Sequence, residues 1–390
     1  MDRYLLVQQR LRRNALFRPM RWGSLGSRRE VAELTELKAL LGLQGERKFV
    51  CGFLTKHEEG QYYIEDLSAR LPIDLSVCDT ADGLFTENCI VVAEGELLPG
   101  GEFRAAALGL PPAEPRQDSI NALQGLDLFM GRAAAEQQRG HESDGTDDGD
   151  RVVFLSDVHL DNPQVLDYLK VIFDGFSSME EPPSVFVLFG SFQSFNANHP
   201  GVSLKEIKQN FSTLGRLIAQ YPSIKSKSQI ILVPGPNDIG PANMLPRSGL
   251  PKSITEGLLE LVPNATLASN PCRLRHRGCD LILFRANLHH LLQGLCILPP
   301  PIAEDSEDTN VYASFYFDQV ASSVIQESHL CPVPLEYQPI AWEWDHSLWI
   351  YPNPHGLVLA DAGPAARSIF DTCDCLNPVR MIWSVVVASQ

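Results

Sequence analysis

Asp157 and His159 are two residues whose types and spacing could bind a metal ion. They follow four consecutive apolar residues, 152–155, which predict a fully buried strand of an α/β sheet. The carboxyl ends of such strands are where open α/β sheets place their ligand sites. A carboxylate with an imidazole suits manganese, iron or zinc, so the segment indicates a metal site if further ligands follow.

Those further ligands are largely missing. The Asp-x-His motif resembles the first motif of the calcineurin-like metallophosphoesterases, whose later motifs are Gly-Asp, Gly-Asn-His-Asp/Glu and Gly-His-x-His. In this sequence Ser191 stands where the carboxylate that bridges two metal ions belongs. Pro236 replaces the Asn ligand, Asn237 replaces the His that protonates the leaving group, and no Gly-His-x-His occurs.

Other histidines are poor replacements for these ligands. His289 and His290 are consecutive and diverge on a helix or a strand, and His355 lies in an Asn-Pro-His-Gly turn. We therefore predict no catalytic residue, no bound metal and no cofactor. A metal-dependent phosphoesterase or nuclease that uses Asp157 and His159 is the alternative. Five residues are interpreted as remnants of a degenerate site: Asp157, His159, Ser191, Asn237 and Asp238.

Composition limits the remaining function classes. The chain has 390 residues and a formal net charge of −16, which allows two or three domains and argues against a protein that coats nucleic acid. Residues 1–29 nevertheless carry eight arginines and one acid, which predicts either a contact with phosphate or an acidic partner, or a solvated terminal helix. Scattered cysteines indicate reduced thiols, with Cys51 and Cys89 buried. No apolar stretch is long enough for a membrane span, so we expect no membrane association.

The first third of the chain predicts a helical lead-in, residues 1–46, and a small barrel, residues 47–112. Leucines at helical spacing between residues 31 and 41 predict a helix that docks onto the domain after it. Five short strands in about 65 residues fit an OB-fold, a Greek-key barrel. The strand candidates are 49–54, 61–65, 71–75, 89–97 and 102–108.

An OB-fold raises the alternative of single-strand binding, which needs outward aromatic residues among basic ones. Tyr62, Tyr63 and Phe103 supply the aromatic residues, and adjacent Tyr62 and Tyr63 must point to opposite faces of their strand. The neighbouring charges in the sequence are acidic: Glu58, Glu59, Glu65, Asp66 and Glu102. We therefore favour a protein-docking barrel over a nucleotide-binding one.

Residues 113–150 form a linker, and residues 151–390 form a second domain. Six acids between residues 136 and 150 predict a solvated, disordered stretch that proteases cut first. Strands and helices then alternate, which predicts an α/β sheet covered on both faces. Helix starts are indicated at Asn162-Pro163 and by capping boxes that begin at Ser203 and Ser253. The strand candidates are 152–155, 185–190, 230–233, 273–275, 281–285 and 357–360.

Several longer motifs resemble the B-subunits of eukaryotic replicative DNA polymerases, and those of DNA polymerase epsilon in particular. The similarity extends from about Arg3 to about Pro378, in the family's order. The segment 379–390 does not continue the family pattern and could supply a final strand or an alternative end. The matching segments are 155–160, 233–238, 245–247, 270–273, 284–285, 328–335, 351–355 and 357–361.

The resemblance implies an OB-fold joined to an inactive calcineurin-like phosphoesterase α/β sandwich. It implies a nuclear, non-catalytic accessory subunit that holds the C-terminal zinc-bearing region of the catalytic subunit of DNA polymerase epsilon. Other polymerase epsilon subunits and the replicative helicase are implied as further partners, with at most a weak contact to DNA. We expect that the family's small N-terminal helical domain is absent before the lead-in. Charge reversal at Asp157 is expected to spare partner binding, whereas disruption of the barrel core at Phe53 is not.

Overall fold

The computed structural model of the protein describes residues 2–17, 32–57, 60–126, 151–241, 243–300, 309–378, 381 and 386–388. The α-helices in these segments are α1 (Asp2–Arg13), α2 (Arg116–Ala122), α3 (Pro163–Ser177), α4 (Leu204–Ala219), α5 (Pro222–Lys227), α6 (Lys252–Leu261), α7 (Leu288–Leu295) and α8 (Thr309–Gln326). Short 3-10 helices span Leu37–Gly42 and Trp342–Leu348. Within these segments, no helix is both long and apolar enough to cross a membrane.

The first six strands close into a barrel. Their order is β3-β2-β1-β5-β6-β4, and a further pairing of β3 with β6 closes the sheet. Alternate side chains point inward and form its core, among them Val50, Leu54, Ile64 and Phe103. The predicted OB-fold is confirmed, and β4 is a short strand that the sequence did not predict. The strands are β1 (Lys48–Lys56), β2 (Tyr62–Glu65), β3 (Arg70–Asp74), β4 (Asp79–Thr80), β5 (Ile90–Leu97) and β6 (Phe103–Gly109).

Helix α1 covers part of the outer face of the barrel. Its apolar residues Tyr4, Val7 and Leu11 are fully buried against Cys51 and neighbouring strand residues. The expectation of a solvated terminal helix is therefore wrong, because one face of the helix is apolar and packs on the sheet. Phe53 also faces this helix, with its ring 5.2 Å from that of Tyr4, so it does not belong to the barrel core as expected.

Residues 32–46, which precede the barrel, are less helical than the leucine spacing predicts. Leu37 and Leu40 are buried in the barrel core, but they lie in a 3-10 helix that begins at Leu37. Leu34 instead forms a parallel bridge to Phe49. Extended pairing with β1 thus replaces the predicted first helical turn, because it also satisfies backbone hydrogen bonds.

Two five-stranded sheets form the second part of the molecule. One has the order β10-β9-β8-β7-β16, with β7 to β10 parallel and β16 antiparallel to β7, and the other has the order β11-β12-β13-β15-β14. The strands are β7 (Val152–Leu155), β8 (Val185–Phe189), β9 (Gln229–Val233), β10 (Thr266–Leu267), β11 (Cys272–His276), β12 (Cys279–Arg285), β13 (Gly356–Ala360), β14 (Ala366–Phe370), β15 (Cys373–Asn377) and β16 (Val386–Ala388).

The sheets pack face to face, with helices on both outer faces. Phe154, Val187 and Ile231 of the first sheet meet Leu283 and Val358 of the second in a shared core. Helices α3, α4 and α6 pack on the outer face of the first sheet, and α7 and α8 on that of the second. This α/β/β/α sandwich, together with the barrel, confirms the predicted fold class.

Local details of this part differ from the expectation. Helix α3 begins as predicted, since the Asn162 side chain accepts a hydrogen bond from the Gln164 amide at 3.0 Å. Ser203 is the N-cap of α4, but its side chain makes no capping bond. Helix α6 begins earlier than predicted, with Pro251 at the N-cap and Ser253 inside the first turn. Strands β10, β14 and β15 were not predicted. The predicted disordered stretch 136–150 lies outside the described residues.

A row of side chains from the second half of α8 and the residue just after it joins the sandwich to the barrel. The amide of Gly83 donates to Gln319 Oε1 at 2.6 Å, and that of Leu84 donates to Ser323 Oγ at 2.7 Å. The amide of Ile90 donates to Glu327 Oε1 at 2.9 Å. Each bond pairs a buried backbone amide of the barrel that does not bond to a neighbouring strand. Barrel and sandwich are therefore packed directly on each other.

Arginines of α1 add to this junction. The guanidinium of Arg10 is buried and donates to the carbonyl oxygens of Gln326 at 3.1 Å and Pro112 at 2.7 Å, and to Ser328 Oγ. Arg13 Nε donates to Glu114 Oε1 at 2.6 Å. At least these two of the N-terminal arginines therefore bind this chain itself.

Candidate functional site

The candidate site lies where β7, β8 and β9 end side by side. Asp157 follows β7, Ser191 follows β8, and Asn237 and Asp238 follow β9, so parallel pairing brings all four to one edge of the sheet. The backbone amide of Asn237 donates to Ser191 Oγ at 3.2 Å. Asp157 and Ser191 are buried, with Asp157 in a left-handed backbone conformation at φ 53°. The ends of these three strands therefore bring the candidate residues together.

A buried cationic side chain, Arg285, lies at the centre of this edge. It is the last residue of β12, in the opposite sheet, and its Nη2 is 2.7 Å from Asp157 Oδ1. Its Nε donates to the Gly190 carbonyl at 2.7 Å, and its Nη1 donates to Asn287 Oδ1 at 2.7 Å and to the Ala360 carbonyl at 3.2 Å. The guanidinium therefore neutralises Asp157 and connects the ends of both sheets.

Asp238 is used to hold backbone. Its Oδ1 accepts from the Phe192 amide at 2.7 Å, and its Oδ2 accepts from the Gly235 amide at 2.7 Å. Burial raises the pKa of Asp238 to about 6, although both amides and the positive charges of Arg247 and Arg285 favour the ionised carboxylate. Both of its oxygens are therefore engaged in holding the loops after β8 and β9.

These two loops are in close backbone contact. A Cβ atom added at Gly190 would lie 2.0 Å from Asp238 Oδ2, and one added at Gly235 would lie 2.4 Å from the Ser191 nitrogen. Glycine is required at both positions because the loops approach too closely for any side chain. The close packing leaves the carboxylate of Asp238 enclosed between them.

The remaining histidines do not complete a metal site. The backbone amide of half-buried His159 donates to the Asp157 carbonyl at 2.8 Å. His355 Nδ1 accepts from the Asp280 amide at 2.9 Å, and the His289 amide donates to Asp361 Oδ2 at 2.8 Å. In the part of the chain that the structure describes, no group of three or more His, Cys, Asp or Glu residues is arranged to hold a metal ion.

Sequence reasoning did not identify Arg285 as a site residue. Its signal is an arginine at the end of an apolar run, Leu281 to Phe284, which parallels the apolar run before Asp157. Two buried strands that end in opposite charges indicate a salt bridge, provided that their sheets pack together. Only the sandwich arrangement supplies that condition.

The barrel aromatics are arranged differently from the expectation. Phe103 is fully buried in the core, and Tyr62 packs against the core. Tyr63 points outward, with the Arg70 guanidinium 5.5 Å from its ring centroid, and Lys56 Nζ lies 5.9 Å from the centroid of Tyr62. Positive groups from neighbouring strands thus accompany the tyrosines, which adjacency in the sequence did not reveal.

Comparison with known proteins defines the class first. The family of DNA polymerase alpha/epsilon B-subunits matches residues 152–367. A second family, described as the DNA polymerase epsilon subunit 2-like OB-fold domain, matches residues 1–112. The chain belongs to the DNA polymerase alpha/epsilon B-subunit family.

Within this family, the individual relatives are subunits of DNA polymerase epsilon. The DNA polymerase epsilon B-subunit of Arabidopsis thaliana is 36% identical over 379 residues, which are 97% of this chain and 70% of the relative. DNA polymerase epsilon subunit 2 of Mus musculus is 32% identical over 384 residues, again 97% of this chain and 70% of the relative. The resemblance to polymerase epsilon B-subunits and the expected accessory role in DNA replication are thereby confirmed. Polymerase epsilon subunits function in the nucleus.

Proposed function

We propose that this chain is a non-catalytic scaffold of the DNA polymerase epsilon complex in the nucleus. It holds the C-terminal zinc-bearing region of the catalytic subunit and supports contacts with the other subunits and the replicative helicase. DNA contact is at most weak and uses the tyrosines and cations of the barrel. The proposed division is a lead-in (1–46), an OB-fold (47–112), a linker (113–150) and an inactive phosphoesterase domain (151–390) with an atypical tail (379–390).

The observation that carries the non-catalytic role is the salt bridge between Arg285 and Asp157. A metal-dependent phosphoesterase needs carboxylates that are free to coordinate cations. Here the carboxylate of Asp157 already has a permanent cation at 2.7 Å, and Asp238 binds two backbone amides. A phosphoesterase that uses Asp157 and His159 gains no support from this arrangement.

The experiment is co-expression of the full chain with the C-terminal region of the polymerase epsilon catalytic subunit. We expect a one-to-one complex that stays together in gel filtration, since stable interfaces of this kind bury more than about 2,000 Å². The metal content of the complex should match the zinc carried by the catalytic-subunit region alone. Separate elution of the two chains would refute the scaffold role.

A further inference from the structure

Five large apolar side chains are exposed on two adjacent segments of the sandwich. We call them the aromatic face. Single exposed apolar residues are common on soluble proteins, whereas several together mark interaction sites. Tryptophan and tyrosine are also the residues that most often dominate binding energy at protein interfaces. The face consists of Met244 (39% exposed), Leu335 (47%), Tyr337 (47%), Trp342 (73%) and Trp344 (57%).

Backbone hydrogen bonds place the two segments side by side. The Leu245 amide donates to the Pro339 carbonyl at 3.0 Å, and the Ala341 amide donates back to the Leu245 carbonyl at 2.7 Å. Gln338 Nε2 donates to the Asn243 carbonyl at 3.0 Å. Met244 is therefore held beside the segment that carries the other four residues of the face.

The tryptophans are exposed although their backbone is well anchored. They lie in the 3-10 helix Trp342–Leu348, in which the Trp344 amide donates to the Ala341 carbonyl at 2.8 Å. The next residue, Asp345, accepts from Trp349 Nε1 at 2.9 Å and lies 3.2 Å from His329 Nε2. Leu348 is fully buried in the core. The bonds of Asp345 and the buried Leu348 thus hold the helix in place, while the indole rings of Trp342 and Trp344 remain largely exposed.

A cavity of about 190 Å³ borders the face and extends towards the degenerate site. It is lined by Met244 and Tyr337 of the face and by Pro236, Arg285 and Leu291 behind them. Small-molecule pockets are typically about 300–1,000 Å³, so this volume suits one inserted side chain better than a cofactor or nucleotide. The cavity offers an anchoring point for a polypeptide that crosses the face.

The charged side chains in the segment that carries most of the face are acidic, which favours a basic partner. Residues 335–346 include three acids and neither lysine nor arginine. Glu336 and Glu343 are exposed, whereas Asp345 is engaged with Trp349 and His329. Carboxylates repel nucleic-acid phosphate, while exposed indole rings attract lysine and arginine through their π faces. A basic polypeptide segment with an apolar anchor therefore complements this surface.

We infer that the aromatic face docks a segment of the catalytic subunit's C-terminal region that carries lysine or arginine beside an apolar side chain. The inference rests on the proposed scaffold function and names the surface that performs it. The apolar side chain enters the cavity beside Tyr337, and the basic side chains pack over Trp342 and Trp344, close to Glu336 and Glu343.

The test uses calorimetry to measure how the full chain binds the purified C-terminal region of the catalytic subunit. The double variant Trp342→Ala/Trp344→Ala should weaken binding by at least about 30-fold, since hot-spot tryptophans at interfaces each contribute on this scale. The double variant Glu336→Lys/Glu343→Lys should weaken binding by about tenfold and reduce its salt dependence. Tyr168→Ala/Val171→Ala removes two exposed apolar side chains from α3 and is the matched control, expected to bind like the unchanged chain.

The outcomes separate the surface from the proposed function. Equal binding by the unchanged chain and the tryptophan variant would overturn the surface and leave the scaffold role standing. Absence of binding by the unchanged chain would overturn both. A dimer of this chain that the tryptophan variant dissociates, or competition by single-stranded DNA at the face, would assign it to a different occupant and overturn the inference. Melting temperatures within about 2 °C of the unchanged chain would show that the exposed substitutions leave the fold intact.

Discussion

Arg285 and Asp157 form a buried salt bridge between the two sheets of the sandwich, with Nη2 and Oδ1 2.7 Å apart. One residue ends β12 and the other follows β7, so the pair connects elements that are 128 positions apart in the chain. A carboxylate at the end of a buried strand could bind a metal ion. Here a side chain of the protein itself supplies the positive charge.

Removal of either partner of this pair should destabilise the fold strongly. Arg285→Met and Asp157→Asn should each lower the free energy of unfolding by about 3–5 kcal/mol, because the remaining charge is buried without its partner. Asparagine also tolerates the positive φ of Asp157, which limits backbone strain. Urea unfolding measures the loss, and the double variant should lose much less than the sum.

The exposed ion pair between Asp167 and Lys170 provides the control for this experiment. Its atoms are also 2.7 Å apart, but both side chains are largely exposed. Asp167→Asn should change the free energy of unfolding by less than about 1 kcal/mol. Similar losses for Asp157→Asn and Asp167→Asn would contradict the importance of burial at the Arg285 pair.

We expect the purified chain to lack phosphodiesterase activity with manganese present. Restoring one carboxylate with Ser191→Asp should not create activity, because Arg285 still occupies the Asp157 carboxylate and binds the Gly190 carbonyl at 2.7 Å. Hydrolysis of bis-p-nitrophenyl phosphate is the measurement. Manganese-dependent turnover that disappears in His159→Ala would support the phosphoesterase alternative instead.

The junction between barrel and sandwich should become more stable as the pH falls from about 8 to about 5, because of Glu327. Burial raises the pKa of Glu327 to about 7, against the lowering effects of Arg3, the Ile90 amide and Arg10. The folded state therefore keeps a proton that the unfolded state, with an ordinary pKa of 4.5, releases in this range. The slope for one proton is at most about 1.4 kcal/mol per pH unit.

Glu327→Gln isolates this contribution. The amide oxygen of glutamine can still accept from the Ile90 amide, but the side chain no longer titrates. The free energy of unfolding of this variant should vary less between pH 5 and pH 8 than that of the unchanged chain, with urea unfolding as the measurement. Parallel pH profiles for the two proteins would show that Glu327 does not titrate in this range.

Helix α1 should depend on Tyr4 for its attachment to the barrel. Tyr4 is fully buried, its hydroxyl donates to the Cys51 carbonyl at 2.8 Å, and its ring lies beside Phe53. Tyr4→Ala should lower the free energy of unfolding by about 3–5 kcal/mol, while Leu5→Ala, at an exposed neighbouring position, should change it by less than about 0.5 kcal/mol. Equal effects at both positions would be inconsistent with the packing of this helix.

Patterns within single strands explain which parts of the fold were predictable. The apolar runs before Asp157 and at residues 185–189 and 230–233 indicated parallel buried strands, and the turn residues between residues 49 and 108 indicated the OB-fold. Strands β14 and β15 were not predicted, because Ala366–Phe370 and Cys373–Asn377 mix polar and apolar residues without clear alternation. In the structure β15 pairs with β13, and β14 pairs in turn with β15 at the edge of the sheet.

The site was predictable in position and only partly in structure. Asp157, Ser191 and Asp238 each follow an apolar run, which indicated that they lie at the ends of neighbouring strands. The sequence could not show that Arg285 reaches these residues from the other sheet. Burial of Asp157 also changes one expectation. Charge reversal there would place two cations together in the core, so it is expected to impair folding rather than spare partner binding.

The row formed by Gln319, Ser323 and Glu327 has a consequence for how this region can vary among relatives. The three positions are four residues apart, so they share one side of the helical segment that faces the barrel. A replacement at one position removes one bond, whereas insertion of a single residue rotates everything beyond it by about 100° and breaks the alignment with the barrel amides. Lineages should therefore diverge here by substitution and keep the length of this helix constant.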